Sequence, residues 1–251
     1  MLTRQRKELL LARLKQDGQI VARSLSEELG LSEDTIRRDL RELAAEGLLQ
    51  RVHGGALPVS AAIGTFAERQ QISSDAKPAI ARAAAAMIEP GQVIFIDGGT
   101  TAVQLVRALP QSLRCTVVTH SPGIAVELVA HPLVEVILIG GRLFKHSIVA
   151  MGPKALEAIA EIRTDVYFMG VCSVHPESGI TTGDFDEAGI KRAISNMAQR
   201  TVVLASPEKL HTASPYQIAP LSQIDTIIVN SDAPDEQLAP YRDMGIAIVK
   251  A

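Results

Sequence analysis

Residues 24–57 read SLSEELGLSEDTIRRDLRELAAEGLLQRVHGGAL, and this stretch is the strongest indicator of fold in the N-terminal part of the chain. Its order predicts a helix, a three-residue turn at Gly30-Leu31-Ser32, a second helix and a hairpin with glycines at its tip. Two helices joined by a short turn and followed by a hairpin are typical of a winged helix-turn-helix, which is a DNA-binding fold.

The second helix has one apolar face and one cationic face. Leu40 and Leu43 lie within about 40° of Ile36 around the helix, because they follow it at i+4 and i+7. Three arginines fall about 100° to 200° away from Ile36: Arg37, Arg38 and Arg41. The apolar face is expected to dock on the protein, which leaves the guanidinium groups facing outward.

Ser32 precedes this helix and is predicted to cap its first turn. A helix held in this way can enter a major groove, where arginine forks pair with guanine edges or phosphate oxygens. The residues expected to contact DNA are Ser32, Thr35, Arg37, Arg38, Arg41, Arg51, His53, Gly54 and Gly55. The alternative is a solvated helix face on which Arg38 pairs with Asp34 and Glu42.

The hairpin is predicted from Leu48–Val52 as a strand and from residues 53–56 as a tight reversal that ends before Pro58. Gly54 and Gly55 are expected to supply positive φ angles there. A hairpin tip of this kind can approach a phosphate backbone or a minor groove closely. The alternative is a hairpin that only packs against the helices.

TIRRDL at residues 35–40 and RVHGGALP at residues 51–58 resemble the N-terminal signature of the DeoR family of bacterial transcription regulators. The resemblance extends over the whole chain and is strongest up to Pro58. It implies a winged helix-turn-helix fused to a sugar-phosphate-sensing domain, most often in a repressor.

Charge does not mark a DNA-binding chain as a whole. The residues up to Leu57 carry a net charge of +1 and the remainder carries −4, which together give the chain its −3. Binding of double-stranded operator DNA is therefore expected to depend on a few arginines that the fold directs outward, not on bulk basicity.

Length and composition predict two domains in 251 residues of which 47% are hydrophobic. The predicted division is a DNA-binding domain at 1–57, a linker at 58–73 and an effector and oligomerisation domain at 74–251. With no signal-type run and no stretch of 18 apolar residues, the chain is expected to be soluble, cytoplasmic and not membrane-bound. Two cysteines, Cys115 and Cys172, lie in strand-like runs and build no disulfide framework.

A helix is predicted from Ser74 to Ile88, and from Val93 onward apolar runs alternate with helical segments. The apolar runs are expected to be strands buried on both faces. Their alternation with helices predicts an α/β domain with a mostly parallel sheet covered by helices on both faces. Ligands of such sheets bind beyond the carboxyl ends of the strands.

Three strand ends carry candidate ligand-binding residues. The first is the DGGTT run Asp97-Gly98-Gly99-Thr100-Thr101, which stands between a strand and a helix and resembles a phosphate cradle of glycines, helix-start amides and hydroxyls. It is neither a Walker A loop nor a GxGxxG loop. The second is Thr119-His120-Ser121, where Ser121 can cap the next helix, and the third is Gly140-Gly141-Arg142. The first and the third could instead be plain tight turns.

The DGGTT run, the GGR step and GITTGDFDEAGIKRAI at residues 179–194 resemble the effector domain of DeoR regulators, which is similar in fold to ribose-5-phosphate isomerase. By that resemblance, the sugar-phosphate pocket includes Asp97 through Thr101 and four further residues: Lys77, Glu187, Lys191 and Lys209. The chain departs from the family where His120 replaces a common Asn and where Ala205–Lys209 replaces an Asp-Ser-Ser-Lys run.

Enzymatic activity is not expected, and no catalytic residue, cofactor or metal is assigned. An isomerase would need a poised carboxylate, and Asp97, Asp184, Asp186 and Glu187 serve equally well as acceptors for sugar hydroxyls. Cys172 with His175 resembles a nucleophile and base, but a cysteine in this position is more often packing. The histidines lack the spacing of metal ligands.

The predicted mechanism is control of DNA binding by a phosphorylated sugar or related metabolite at the DGGTT turn. Two DNA-binding domains are needed to match two operator half-sites that lie about one helical turn of DNA apart, which implies a homodimer or homotetramer. Two alternatives remain at this point: a sheet domain that serves mainly for assembly, and a residual sugar-phosphate isomerase.

Overall fold

The computed structural model describes residues 2–60, 62, 64–72 and 75–251. Residues 2–57 form a small unit that we call the head. It consists of α1 Thr3–Asp17, β1 Ile20–Val21, α2 Ala22–Leu29, α3 Glu33–Ala45, β2 Gln50–Val52 and β3 Gly55–Leu57. The three strands form one antiparallel sheet in the order β1-β3-β2. The predicted winged helix-turn-helix is therefore present, with α1 and β1 as elements that the sequence pattern did not reveal.

The apolar stripe of α3 closes the core of the head. Ile36, Leu40 and Leu43 are buried there against Leu10 and Leu14 of α1. Ser32 caps α3 as predicted, since its Oγ accepts a hydrogen bond from the Thr35 amide at 3.2 Å. Cap and stripe together set where α3 begins and which face it turns outward.

The hairpin differs from its prediction in two ways. Its first strand begins at Gln50, and the reversal is confined to His53 and Gly54, with a φ of 81° at Gly54. Gly55 lies inside β3, and the expectation of a positive φ there is wrong. A Cβ on Gly55 would stand 1.7 Å from the Ile20 carbonyl oxygen, so this glycine is required because β1 passes so close to β3.

Part of the segment predicted as a linker, residues 58–73, is helical among the residues that the structure describes. They contain α4 Phe66–Gln71, whose first turn is capped by Thr65. The next helix, α5, spans Ala76–Ala85, and the predicted helix start at Ser74 lies outside the described residues. Composition alone suggested a linker because small residues precede the helix and hide its capping signal. The domain limits at 57 and 74 stay a prediction.

The rest of the chain, residues 75–251, which we call the sheet region, is built on seven parallel strands. They are β4 Val93–Ile96, β5 Cys115–Thr119, β6 Val134–Leu138, β9 Thr164–Gly170, β12 Ala198–Leu204, β14 Thr226–Val229 and β15 Ala247–Lys250. Their order is β15-β14-β12-β9-β4-β5-β6.

Helices cover both faces of this sheet. Successive strand residues point to opposite faces and so contribute to two separate cores. Ile94 and Ile96 belong to one core with α5, α6 Thr100–Arg107 and α7 Pro122–Leu128. Phe95 belongs to the other core, with α8 Pro153–Ala160, α9 Phe185–Met197 and α10 Asp235–Asp243. The predicted three-layer α/β fold is confirmed.

Short antiparallel strands supplement the parallel sheet, and the sequence pattern did not reveal them. They are β7 Arg142–Phe144, β8 Val149–Met151, β10 Ser173–His175, β11 Gly179–Thr182 and β13 Tyr216–Ala219. The expectation that every long strand is buried on both faces fails at the edge, where Ile137 and Leu138 of β6 are exposed. No helix among the described residues is long and apolar enough to cross a membrane.

Candidate functional site

The outward face of α3 carries the predicted arginines. Arg37, Arg38 and Arg41 are exposed, while the apolar stripe on the other side of the helix is buried. Arg37 is held by Glu33, with Nη2 at 2.6 Å and Nε at 3.0 Å from one carboxylate oxygen. Within the described chain, Arg38 forms neither of the ion pairs considered from the sequence, and Glu42 contacts Lys7 at 3.1 Å instead. Arg38 and Arg41 therefore present their charges to solvent.

A depression of about 480 Å³ lies between α3 and the β2–β3 wing. Arg37 borders it from the helix, and Arg51, His53 and Gly54 border it from the wing. Thr35 is engaged in the helix cap, where its hydroxyl lies 2.8 Å from the Ser32 hydroxyl. Gly55 also borders the depression but is buried, unlike the other wing residues predicted to contact DNA.

Asp39 was missed from the sequence, although it lies within TIRRDL. It is buried and accepts hydrogen bonds from Arg6 of α1, at 3.0 Å from Arg6 Nη2 and by a closer contact from Nε. A charged residue on the inner edge of an amphipathic helix was the available signal. The ion pair orients α3 against α1 and so fixes the direction in which the exposed arginines point.

A second cavity opens at the carboxyl ends of β4 and β9, with an empty volume of about 490 Å³. The predicted effector residues that line it are Lys77, Gly98, Gly99, Thr100, Thr101, Glu187, Lys191 and Lys209. Polar lining residues that sequence reasoning missed are Arg69, Ser147, Cys172 and Glu208. Arg69 was missed because it lies in the segment predicted as a linker.

The two glycines of the DGGTT turn serve different purposes. A Cβ on Gly98 would lie 2.2 Å from Val149 Cγ1 and 2.8 Å from the Ser147 carbonyl oxygen, so the backbone approaches β8 too closely for a side chain. Gly99 is the N-cap of α6 with a φ of 111°, a conformation that favours glycine. The chain can therefore turn directly from β4 into α6 at the cavity wall.

The first turn of α6 has unused hydrogen-bonding capacity. A helix leaves its first backbone N–H groups without acceptors in the helix, and among the described residues the amides of Thr100, Thr101 and Ala102 have no other acceptor. Thr101 Oγ1 is also buried without a hydrogen-bond partner. Unpaired buried donors of this kind, together with the positive end of the helix dipole, favour an anion.

Asp97 does not line the cavity but lies beneath it as a buried anchor. Its carboxylate accepts hydrogen bonds from the Gly98 amide at 2.8 Å, the Gly170 amide at 3.0 Å and the Tyr167 hydroxyl at 3.1 Å. Lys191 Nζ and His120 Nε2 complete the set. Burial alone would raise the Asp97 pKa, but the Lys191 charge and the His120 contact outweigh it and hold the pKa well below its usual range. Asp97 is therefore neither a free acceptor for a sugar hydroxyl nor a poised base.

Four cationic side chains line the cavity: Arg69, Lys77, Lys191 and Lys209. Burial lowers the pKa of Arg69 and of Lys77, and it lowers the pKa of Lys209 to about 8. The amine of Lys209 donates no hydrogen bond within the described chain. Glu187, by contrast, is occupied, since it accepts from the Ser147 hydroxyl at 2.7 Å and from the Thr182 hydroxyl.

Six other predicted effector residues do not line this cavity. Thr119, His120 and Ser121 are buried beside it: the Thr119 hydroxyl accepts from the Ser121 amide, and Ser121 caps α7. His120 Nδ1 lies 3.0 Å from the Ala150 carbonyl oxygen. These three residues support the turn from below.

The GGR step lies elsewhere, and the expectation that it converges on the cavity is corrected. Arg142 is exposed and pairs with Asp186 at 3.3 Å. A Cβ on Gly141 would lie 2.6 Å from the Met151 carbonyl oxygen, so this glycine permits the β7–β8 pairing. Gly140 precedes it in the same turn and has open space around it. The step is a turn between strands, as its alternative interpretation held.

Cys172 lies between β9 and β10, outside the strand in which it was expected. Burial raises the pKa of its thiol, and its sulfur contacts the Thr182 hydroxyl at 3.5 Å, with no contact to His175. No cluster of potential metal ligands is found among the described residues.

Comparison with known proteins gives two family matches and several similar regulators. Residues 6–61 match the family described as DeoR-like helix-turn-helix domain, and residues 72–231 match the DeoR C terminal sensor domain. The chain is 36% identical to the HTH-type transcriptional regulator GlpR of Haloferax volcanii, over 93% of this chain and 91% of that protein. It is 29% identical to the glycerol-3-phosphate regulon repressor of Escherichia coli, over 92% of each chain.

Two solved structures are also similar. Ribose 5-phosphate isomerase A of Methanocaldococcus jannaschii is 18% identical with a TM-score of 0.38, over 53% of this chain and 52% of that one. The full-length sorbitol operon regulator SorC of Klebsiella pneumoniae is 15% identical with a TM-score of 0.38, over 84% and 91%. The two family matches cover both the head and the sheet region. The chain therefore belongs to the DeoR family and is a DNA-binding transcriptional regulator, not an enzyme.

Proposed function

We propose that this regulator represses carbohydrate or related catabolic genes in the cytoplasm and is controlled by a phosphorylated sugar or polyol that binds at the first turn of α6. DNA contact is assigned to the outward arginines of α3 and to Arg51 and His53 of the wing. Relatives that are named as repressors, among them a glycerol-3-phosphate regulon repressor, support this assignment.

One observation carries the effector proposal: Thr101 Oγ1 and the free amides of α6 share a cavity with four cations. A phosphate dianion would satisfy the amides and the hydroxyl and would compensate the amine of Lys209, which donates no hydrogen bond within the described chain, whereas Lys191 already has Asp97 as its counterion. Without such a ligand, the unpaired donors and the desolvated lysines cost stability.

The cavity has an empty volume of about 490 Å³, which can admit a phosphate group with a short carbon chain. Asp97 is occupied by five donors and held ionised, so no carboxylate in this position supports the isomerase alternative.

Thermal unfolding in the presence of phosphorylated sugars and polyols tests the effector proposal. A ligand at a hundredfold excess over its Kd should stabilise the wild-type chain by about 2.7 kcal/mol. Thr101→Val should leave the ligand-free chain as stable or more stable, since it removes an unpaired buried hydroxyl, and should weaken ligand binding about 10- to 100-fold. Thr116→Val, which removes a hydroxyl that bonds Glu135 away from the cavity, is the matched control.

Three results would contradict the proposal in different ways. No stabilisation by any phosphorylated compound would favour a sheet region that serves mainly for assembly. Equal ligand affinity in Thr101→Val and in wild type would move the binding site away from α6. Turnover of a sugar phosphate by the full chain would favour the alternative that the protein is a residual sugar-phosphate isomerase.

A further inference from the structure

The described residues between Pro58 and Ile72, namely 58–60, 62 and 64–72, which we call the arm, lie between the head and the sheet region in the chain. Only Pro58 separates Leu57, the last residue of β3, from Val59, which forms a bridge with Ala213 of the sheet region. The Ser60 hydroxyl then donates to the Cys172 carbonyl oxygen. The wing is thus connected almost directly to residues that contact the sheet region.

The arm also forms part of the cavity wall, through Ala62, Arg69 and Ile72. Arg69 lies on α4, which contacts α6. One guanidinium nitrogen of Arg69, Nη2, donates to the His146 carbonyl oxygen, whereas Nε is buried without a partner. The cavity therefore holds two unsatisfied polar atoms from different parts of the chain: Thr101 Oγ1 of α6 and Arg69 Nε of the arm.

Lys77 connects the end of the arm to the same cavity. Its amine donates to the carbonyl oxygens of Arg69 and Ile72 while it also lines the cavity. Both hydrogen bonds hold the C-terminal end of α4. The position of Arg69 is consequently set by a residue that itself faces the proposed anion.

We propose that Arg69 is an anion-binding residue and that a phosphate bridges its guanidinium to the first turn of α6, which fastens the arm to the sheet region. This rests on the proposed phosphate site and adds the route by which its occupancy reaches the head. Arginine suits this task because its planar fork can donate to a phosphate and to the His146 carbonyl oxygen at once. The ligand would therefore restrain the arm that carries the wing.

Hydrogen exchange of the full-length chain, with inorganic phosphate as the probe, tests this inference. Phosphate should slow amide exchange about tenfold or more both at the start of α6 and along residues 59–72 in the wild type. In Arg69→Gln, protection at α6 should persist at saturating phosphate while the arm exchanges as in the free protein. Arg82→Gln, which alters an exposed arginine of α5 outside the cavity, should behave as wild type.

The outcomes separate this inference from the proposal beneath it. Absence of protection at α6 in the wild type would refute the phosphate site and the role of Arg69 together. Protection at α6 without protection of the arm, or equal protection of the arm in wild type and Arg69→Gln, would refute the role of Arg69 alone. If Arg69→Gln does not fold, Arg69→Lys replaces it, because its ammonium lacks the planar fork that would span the phosphate and the His146 carbonyl oxygen. The gain in arm protection on adding phosphate should then be smaller than in the wild type, and an equal gain would refute the role of Arg69.

Discussion

At the scale of single residues, Asp97 illustrates how a site residue can act without touching a ligand. Sequence resemblance placed it in the pocket, whereas the structure buries it under the turn with five donors around its two oxygens. Its partner Lys191 is 94 residues away in the chain and is equally buried. The pair fixes α9 against the end of β4 and so determines where the cavity lies.

Asp97→Asn should destabilise the protein by about 3–5 kcal/mol, because it leaves the buried Lys191 charge without its counterion. Urea unfolding followed by circular dichroism measures the change. Asp186→Asn breaks the exposed pair with Arg142 and should cost no more than about 1 kcal/mol. Similar losses of stability in the two variants would contradict the anchoring role of Asp97.

Lys209 gives the cavity a pH dependence. Burial lowers its pKa to about 8, so its amine loses its charge as the pH rises through that value. In the free protein, the folded state binds fewer protons than the unfolded state from about pH 8 to the ordinary lysine range, so the unfolding free energy should rise with pH in that window. Phosphate affinity, which depends on the charge, should instead fall about tenfold from pH 7 to above pH 9.

Calorimetric titration with phosphate at a series of pH values measures this effect. Lys209→Met, which removes the amine but keeps most of the stem, should bind more weakly at pH 7 and show a flatter pH profile. If the pH profile of phosphate affinity is unchanged in this variant, the pH dependence belongs to another group. Lys77 is the alternative, because burial lowers its pKa as well.

At the scale of elements, α3 shows how position in a helix separates structural from functional charge. Arg37, Arg38 and Arg41 lie on its exposed face, whereas Asp39 lies on the buried side and pairs with Arg6. The same short run of sequence therefore supplies both the docking and the displayed side chains. Because each residue advances 100° around the helix, the position of a charged residue in the sequence decides whether it faces the core or the solvent.

Arg37→Ala combined with Arg38→Ala should weaken operator binding by about 1–3 kcal/mol for each bidentate pair of hydrogen bonds to a base that the substitutions remove. Binding measured across a salt series should also show a smaller salt slope if these arginines neutralise phosphates. The matched control is the pair Arg82→Ala and Arg163→Ala, two arginines of the sheet region that lie away from α3. Equal affinity of the α3 double variant and wild type would remove α3 from the interface.

At the scale of the whole molecule, one head offers one recognition helix. Operator sites read by winged helix-turn-helix proteins are usually matched by a pair of heads about 34–36 Å apart. The short connection between β3 and Val59 restricts how far a head can move relative to its own sheet region. The spacing of two heads is therefore expected to depend on how two sheet regions associate.

The full chain should sediment as a homodimer or homotetramer at concentrations that saturate its operator. Inserting about half a helical turn between the operator half-sites should reduce affinity, since the two heads would then face different sides of the duplex. Sedimentation velocity and binding titration measure these two properties. A monomer that binds both DNA fragments equally would contradict the paired arrangement.

Local sequence was sufficient for the features that depend on neighbours a few residues apart. The stripe and cap of α3, the glycine turn into α6, the cap of α7 by Ser121 and the alternation of strands with helices all rest on local periodicity and turn chemistry, and the structure contains each of them. Such short-range patterns can be predicted from sequence because backbone geometry sets the helical period, the alternation of side chains along a strand and the conformations open to glycine.

Which of these residues share a cavity was settled by the folded arrangement of the chain. Arg69 of the arm, Thr101 of α6 and Lys209 come together through crossovers of the sheet, while Arg142, which stands at an equally promising strand end, pairs with Asp186 on the surface. The short strands β10, β11 and β13 likewise form by pairing at a distance. Such contacts depend on the packing of many segments that are distant in sequence. The local sequence around a buried charge therefore does not predict which residue will pair with it.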